Sequence, residues 1–370
     1  MSFSRLSFSA IAILLVTAVG GAVAAPARYA LEALPIAPGC QSYTVLHGLN
    51  ARGDAHGVMS CDDFVTQRAV LWAGEKVLEL GTFGGPNSYP AGLDAKGDVV
   101  GYAEKPEIWA GDEHIARPFL YRAGEMLDIG TLGGPLGGAL AINAAGTIVG
   151  ASQPAQADPR IGREPIRPCM WLGGEVRDLG DLGGPEGYAY DVNSRGWIVG
   201  SSTTAELLPS GLGYVEHAFI HDGERMQDLG TLGGLGSIAW SLNETGDVVG
   251  SSLTGEHLPN GNVPVKHAFL WSAGVLSDLG TLGGPFSDAV GINNRGQIVG
   301  WSWLLAPNGN TLQHATLWDH GRIVDLNDVA QDRTWTLTGA TAIDEHGRIL
   351  ANAIREGEWR VVLVTPLRSE

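Results

Sequence analysis

Seven short motifs, spaced almost evenly, constrain this chain more than any other feature. Asn50, Asp94, Asn143, Asn193, Asn243, Asn293 and Asp344 are each followed three residues later by glycine, at Gly53, Gly97, Gly146, Gly196, Gly246, Gly296 and Gly347. An Asx side chain bonds the backbone two residues on, and glycine supplies the positive-φ position that closes a tight hairpin. Seven such turns predict seven hairpins. Calcium is the competing reading, but each turn lacks the second and third carboxylates of an oxygen-ligand loop.

The turns belong to a longer repeat. Residues 267–302 have close relatives beginning at Arg68, Arg117, Arg167 and His217, with a decayed copy from His314. The intact starts lie 49 or 50 residues apart. Each unit holds four short β-prone runs separated by glycine, none long enough for a helix. Four strands in about 50 residues is the size of a propeller blade. The chain opens part-way through a unit, with 29–35 in the second-strand position, and it stops after a first-strand run at 359–365. Pairing those two runs closes a ring and leaves no sheet edge exposed, whereas a linear solenoid needs polar caps at both ends. The expected fold is all-β: a seven-bladed β-propeller of four-stranded blades over residues 25–370, closed by strand 29–35 against strand 359–365.

Composition agrees. The 54 glycines suit tight turns, and 44 % hydrophobic residues are enough for a large core. With 23 basic against 40 acidic residues, the net charge of −17 argues against a nucleic-acid partner. Arg5, an apolar run at 10–19 and the small-x-small pattern Ala22-Val23-Ala24 read as a signal peptide over 1–24. That run is too short to span a bilayer, and no later stretch is long and apolar enough. The expectation is an exported protein, periplasmic or extracellular, without a membrane span. Cys40 and Cys61 flank neighbouring strands and are expected to form a disulfide, contributing about 3 kcal/mol by loop closure; two free thiols are the alternative. Cys169 fills the slot held by Phe119, Phe219 and Phe269 in sister repeats, so it should be buried and inert.

His-Ala-Phe at His217 and His267, followed by Asp-Leu-Gly-Thr-Leu-Gly-Gly and Ile-Asn-x-x-Gly-x-Ile-Val-Gly, resembles the exported bacterial HAF-repeat proteins. The likeness runs through nearly the whole mature chain. It departs at Arg68, Arg117 and Arg167, which replace the histidine, and at 325–327, where the glycine-rich turn is lost. The resemblance implies fold and export, and carries no catalytic residues with it.

Strand alternation sorts the connections onto two faces. The Asx turns share one; the Thr-Leu-Gly-Gly connections share the other with long loops at 102–116, 151–166, 201–216, 251–266 and 301–313. Binding on rigid scaffolds usually resides in such loops. Trp301, Trp303, Trp109, Tyr102 and Tyr214 lie in or beside them and are candidate ligand-binding residues, although Trp301 and Trp303 equally suit a continuing strand packed on its neighbour. Asp288, Tyr89, Tyr188 and Trp335 open the third strand of their units and ring the channel mouth if that strand is innermost. Asp288 is the one residue nameable as catalytic.

Basic residues open each first strand and acidic ones close each second strand, pairing His217 with Asp228, His267 with Asp278 and His314 with Asp325 as structural struts. Equivalent histidines stand too far apart around a ring to share a zinc, so no metal is expected. Thr-Leu-Gly-Gly leads into a strand without the Lys-Ser/Thr of a phosphate loop, and no nucleophile motif is present, so no cofactor is expected. The favoured function is non-catalytic recognition of a glycan or an envelope or extracellular protein. The alternatives are a polysaccharide hydrolase or lyase and a structural surface protein.

Overall fold

The structure, a computed structural model, describes residues 28–37, 40–43, 48–61, 66–111, 113–259, 261, 263–305 and 311–367; the expected signal peptide lies outside them. Among these residues nearly every element is a strand, and the strands assort into antiparallel groups of four. Each group joins the last two runs of one repeat unit (a, b) to the first two of the next (c, d). Strand a ends at the Asx turn, b carries the Ile-Val-Gly motif, c carries the recurrent His or Arg, and d closes with the acidic residue. Gly183–Val192, Ile198–Leu207, Tyr214–His221 and Met226–Asp228 form one such group. The groups of 237–280 and 283–325 are also joined by one parallel bridge, Lys266 to Phe286.

One group draws on both ends of the chain. Thr336–Ile343, Ile349–Arg355 and Glu358–Pro366 supply a, b and c, and Tyr29–Ala33 pairs antiparallel with the last of these. Tyr29 stands opposite Pro366, Ala33 opposite Val362, and the Leu34 amide donates to the Val361 carbonyl at 2.9 Å. Tyr29 is buried with Leu326, Val329 and Trp335. The decayed turn of this last unit has become a short helix, Leu326–Val329, whose first turn is capped by Asp325.

All seven Asx turns share one geometry. The side-chain oxygen accepts the backbone N–H two and four residues on, as at Asn193 from Arg195 and Trp197, both 3.0 Å, and equally at Asn50, Asp94, Asn143, Asn243, Asn293 and Asp344. The free amide then reaches the next group. Asn50 Nδ2 donates to the Asp94 carbonyl, Asn143 to Asn193, Asn193 to Asn243 and Asn293 to Asp344, at 2.8–3.1 Å. Other side chains bridge the remaining junctions: Lys96 to Ala144, Glu244 to Asn294, and Arg348 in the last turn to Ala51 in the first.

Strand a bulges just before its turn. Register slips between Pro90 and Gly92, Ala139 and Ala141, Ala189 and Asp191, Ala239 and Ser241, Ala289 and Gly291, and Ala340 and Ala342. A bulge sets two residues against one and re-aims their side chains. Strand b comes so close there that a Cβ on Gly200 would stand 1.9 Å from the Tyr188 carbonyl oxygen. That contact explains the glycine of Ile-Val-Gly.

Between groups the core is a series of seams. Phe119, Phe219 and Phe269, fully buried, pack on residues of the preceding group, and Cys169 does the same with Val100 and Leu120. Burying one such phenylalanine contributes about 1.5–3 kcal/mol. Cys169 is a free thiol. Cys40 is disulfide-bonded and stands opposite Cys61 in register; the Cys61 side chain lies outside the described residues.

The expected long loops are corrected in most groups. Val99–Ala110, Ile198–Leu207, Val248–His257 and Ile298–Leu305 continue strand b outward, and strand c returns to pair with them. Pairing resumes beyond a register shift, Leu207 with Tyr214 and His257 with Pro264, so these segments extend the sheet as projecting hairpins. Among the described residues 155–166 stays a true loop, fastened by an Asp158–Arg163 bridge and an Asp158–Arg160 ion pair at 2.6 Å.

Candidate functional site

The a strands meet around a cavity of about 440 Å³ that takes residues from every strand group. Its wall is written by the bulges. Each contributes two consecutive residues: Ala91-Gly92, Leu140-Ala141, Tyr190-Asp191, Trp240-Ser241, Val290-Gly291 and Thr341-Ala342. Four of the six pairs carry no ring and no charge. Two adjacent groups break the pattern with a tyrosine, a tryptophan, a carboxylate and a hydroxyl.

Tyr190 lies against Trp240 with centroids 4.6 Å apart and is stacked on Tyr188 at 5.9 Å. Asp191 accepts from Ser241 Oγ at 2.8 Å, the Leu242 amide at 3.1 Å and the Val192 amide at 2.8 Å. Burial pushes its carboxyl up against these donors, and Glu244 adds to the push. Tyr89 and Tyr102 also line the cavity, stacked at 4.8 Å. Burial, then Tyr89 and Glu104, raise the Tyr102 hydroxyl to about 12, so it remains a neutral donor.

A second hollow of about 290 Å³ opens beside the first. Tyr102 and Tyr188 line it together with Gly137 and Gly138, and Tyr102 and Leu140 belong to both hollows. Tyr188 is 38 % exposed. None of the lining residues is charged, but the charge of Glu104 reaches Tyr102 and those of Glu186 and Glu216 reach Tyr188. Arg163 pairs with Glu186 at 2.8 Å.

Of the residues singled out from sequence, the structure brings Tyr89, Tyr102 and Tyr188 to these hollows and disperses the others. Trp109 is exposed near the end of its hairpin strand, and Tyr214 begins the returning strand of another, opposite Leu207. Trp301 and Trp303 lie within a strand, half-buried, as their alternative reading held. Trp301 stands beside Gly339 of the next group with the Lys266 ammonium 5.1 Å from its ring, and Trp303 meets Phe286 edge-on at 4.9 Å. Trp335 precedes its strand and is buried under Arg355, so its place at a channel mouth is corrected.

Asp288 is corrected too. It is buried, with one oxygen held by Trp240 Nε1 at 2.9 Å and the other by Lys266 Nζ at 2.8 Å. Burial raises its carboxyl while Lys266 opposes the shift. It ties two strand groups together and presents no open oxygen for proton transfer.

The struts have the expected geometry. His217 and Asp228 meet at 2.8 Å, His267 and Asp278 at 2.8 Å, and His314 and Asp325 at 2.6 Å. Arg68, Arg117 and Arg167 pair likewise with Glu79, Asp128 and Asp178. The bond to Asp228 raises the His217 imidazole. Burial pushes Asp228 up, but the bonds from His217 and from the Gly230 amide outweigh it and leave the carboxyl low. Arg360 departs from the pattern and pairs with Glu358. Among the described residues no three His, Cys, Asp or Glu side chains are placed to share a metal ion, and no helix is long and apolar enough to cross a membrane.

Tyr190, Asp191, Trp240 and Ser241 were not singled out from sequence. Their signal was available: counting back two and three residues from each Asx turn gives the bulge pairs. Nothing in the sequence announces the bulge itself.

No family model matches the chain, and no curated protein matches it. Among solved structures it is similar to the β-propeller domain of the Trilobed protease from Pyrococcus furiosus, described as having an open velcro topology. The two share 9 % identity with a TM-score of 0.53, over 90 % of this chain and 97 % of that one. The Trypanosoma rangeli sialidase aligns at 11 % identity and a TM-score of 0.41, over 88 % of this chain, which spans only 55 % of the sialidase. A likeness as loose as the second bears on neither fold nor chemistry. The first, with the four-stranded groups, makes this an all-β chain of the β-propeller fold.

Proposed function

We propose that this is a seven-bladed propeller, exported and non-catalytic, that recognises a glycan on the face carrying the projecting hairpins. Seven groups of four strands, the pairing of 29–33 with 358–366 and the Arg348–Ala51 hydrogen bond support a closed ring. The leader-like segment at 1–24 and the HAF-type motifs support export and kinship with the HAF-repeat proteins. Cys40–Cys61 is the inferred disulfide, since the two stand in register, Cys40 is bonded and Cys169 is free.

One observation carries the choice of ligand. Tyr102 and Tyr188 line a single open groove with the glycine pair 137–138, and the charges of Glu104, Glu186 and Glu216 reach the two rings. Aromatic faces receive the apolar face of a sugar ring, glycines let it approach the backbone, and carboxylates accept from its hydroxyls. The chain from Ala25 onward should bind a subset of a broad glycan array, and Tyr188→Ala should reduce that signal at least about tenfold. A blank array, or equal binding by Tyr188→Ala, refutes the glycan reading.

An envelope or extracellular protein partner is the second reading. It is favoured by large apolar side chains exposed on or beside the hairpin ends, among them Ile108, Leu207, Leu212, Leu305 and Leu312. A blank array combined with a partner lost on Leu212→Asp would select it.

A further inference from the structure

The protein leaves one carboxyl group of the cavity wall, Asp191, without a cation beside it. Most of its buried or half-buried carboxylates have a cation beside them: Lys266 at Asp288, Arg122 at Asp98, Arg348 at Asp344, His314 at Asp325. Asp191 has no ion pair among the described residues: it accepts from a hydroxyl and two backbone amides, and the like charge of Glu244 acts on it. Burying an ionised carboxylate without a partner is costly, and fold alone does not require it here. The equivalent positions in sister groups are Gly92, Ala141, Ser241, Gly291 and Ala342, and every one of them completes the same bulge without a carboxylate.

The surroundings say what is missing. On either side of Asp191 in the wall stand the Tyr190 and Trp240 rings, and the Tyr89–Tyr102 stack lines the same hollow. Aromatic faces attract cations whose charge is spread over an apolar skin, and a desolvated carboxylate completes the attraction. A hollow of about 440 Å³ has room for a ligand of several heavy atoms. We propose that the cavity is a binding site for a small organic cation, an amine or quaternary ammonium group seated against Asp191 and the rings of Tyr190 and Trp240. This site shares Tyr102 and Leu140 with the groove argued above, but Asp191, Tyr190 and Trp240, on which it rests, do not line that groove. The net charge of −17 favours the approach of such a ligand.

The test is calorimetric titration of the full chain with tetramethylammonium, with choline and with the uncharged tert-butyl analogue of choline. The two cations should bind with measurable heat, and the analogue at least about tenfold more weakly. Asp191→Asn keeps the size of the side chain and removes its charge, and it should bring choline down to the level of the analogue. If Asp191→Asn does not fold, the comparison of choline with its analogue on the unmodified chain still decides. Equal binding of choline and analogue would show an apolar hollow without charge selection and overturn the proposal. So would no binding by either cation, or choline binding unchanged in Asp191→Asn.

Discussion

Two neighbouring stretches at the end of strand a face different demands. At the Asx turns every group repeats the same hydrogen bonds: one side-chain oxygen holding two backbone amides, and a polar side chain reaching the next turn. One bulge away the cavity wall varies from Ala-Gly to Tyr-Asp and Trp-Ser. Uniformity marks the positions that hold neighbouring groups together, since any weak junction weakens the whole. Variation is tolerated where the backbone already makes its bonds and only side-chain chemistry changes. The comparison therefore separates residues kept for the fold from residues available for recognition.

The sharpest way to break the holding side is at the meeting of the two chain ends. Tyr29 is 4 % exposed in a core cluster, and its carbonyl accepts the Gln331 amide at 2.9 Å. Tyr29→Ala should cost about 4 kcal/mol, read by urea unfolding, because the cavity it leaves lies beside the only strand that covers the last sheet edge. A loss below about 1 kcal/mol would mean the strand contributes little.

Next in size is Asn193→Ala. It removes two bonds accepted from the Arg195 and Trp197 amides and one donated to the Asn243 carbonyl, all at a residue 4 % exposed. The expected loss is about 3 kcal/mol in the same assay. A smaller change of opposite sign should follow Asp94→Asn. Asp94 makes the usual turn bonds, yet its second oxygen is buried with no hydrogen-bond partner, and an aspartate has no amide to offer the next turn. Asparagine restores the donor that Asn143 and Asn193 use, and should stabilise the chain by about 1 kcal/mol.

What could be read from the sequence follows the same division. The turns were legible because Asx and glycine perform local chemistry at a fixed spacing, and their hydrogen bonds appear at all seven positions. The struts were legible for the same reason: His217 and Asp228 lie 11 residues apart in one hairpin. The site was less legible. Asp288 looked like a catalytic acid in isolation, and only packing shows Trp240 and Lys266, 48 and 22 residues away, closing on it. Trp301 and Trp303 suited both a loop and a continuing strand, and the structure carries strand b through both of them. Tyr190 and Asp191 went unmarked because strict alternation sends neighbouring residues to opposite faces, and the bulge that turns both toward the cavity leaves no trace in residue type.

The claim at the centre of this account is that the chemistry of the cavity wall is surplus to folding. Thermal unfolding of the double variant Tyr190→Leu, Asp191→Ala, which gives that group the Leu-Ala pair found at 140–141, tests it most directly. The account predicts a cooperative transition with Tm within about 2 °C of the unmodified chain. A fall as large as that of Asn193→Ala would contradict it, and would assign Tyr190 and Asp191 to the scaffold.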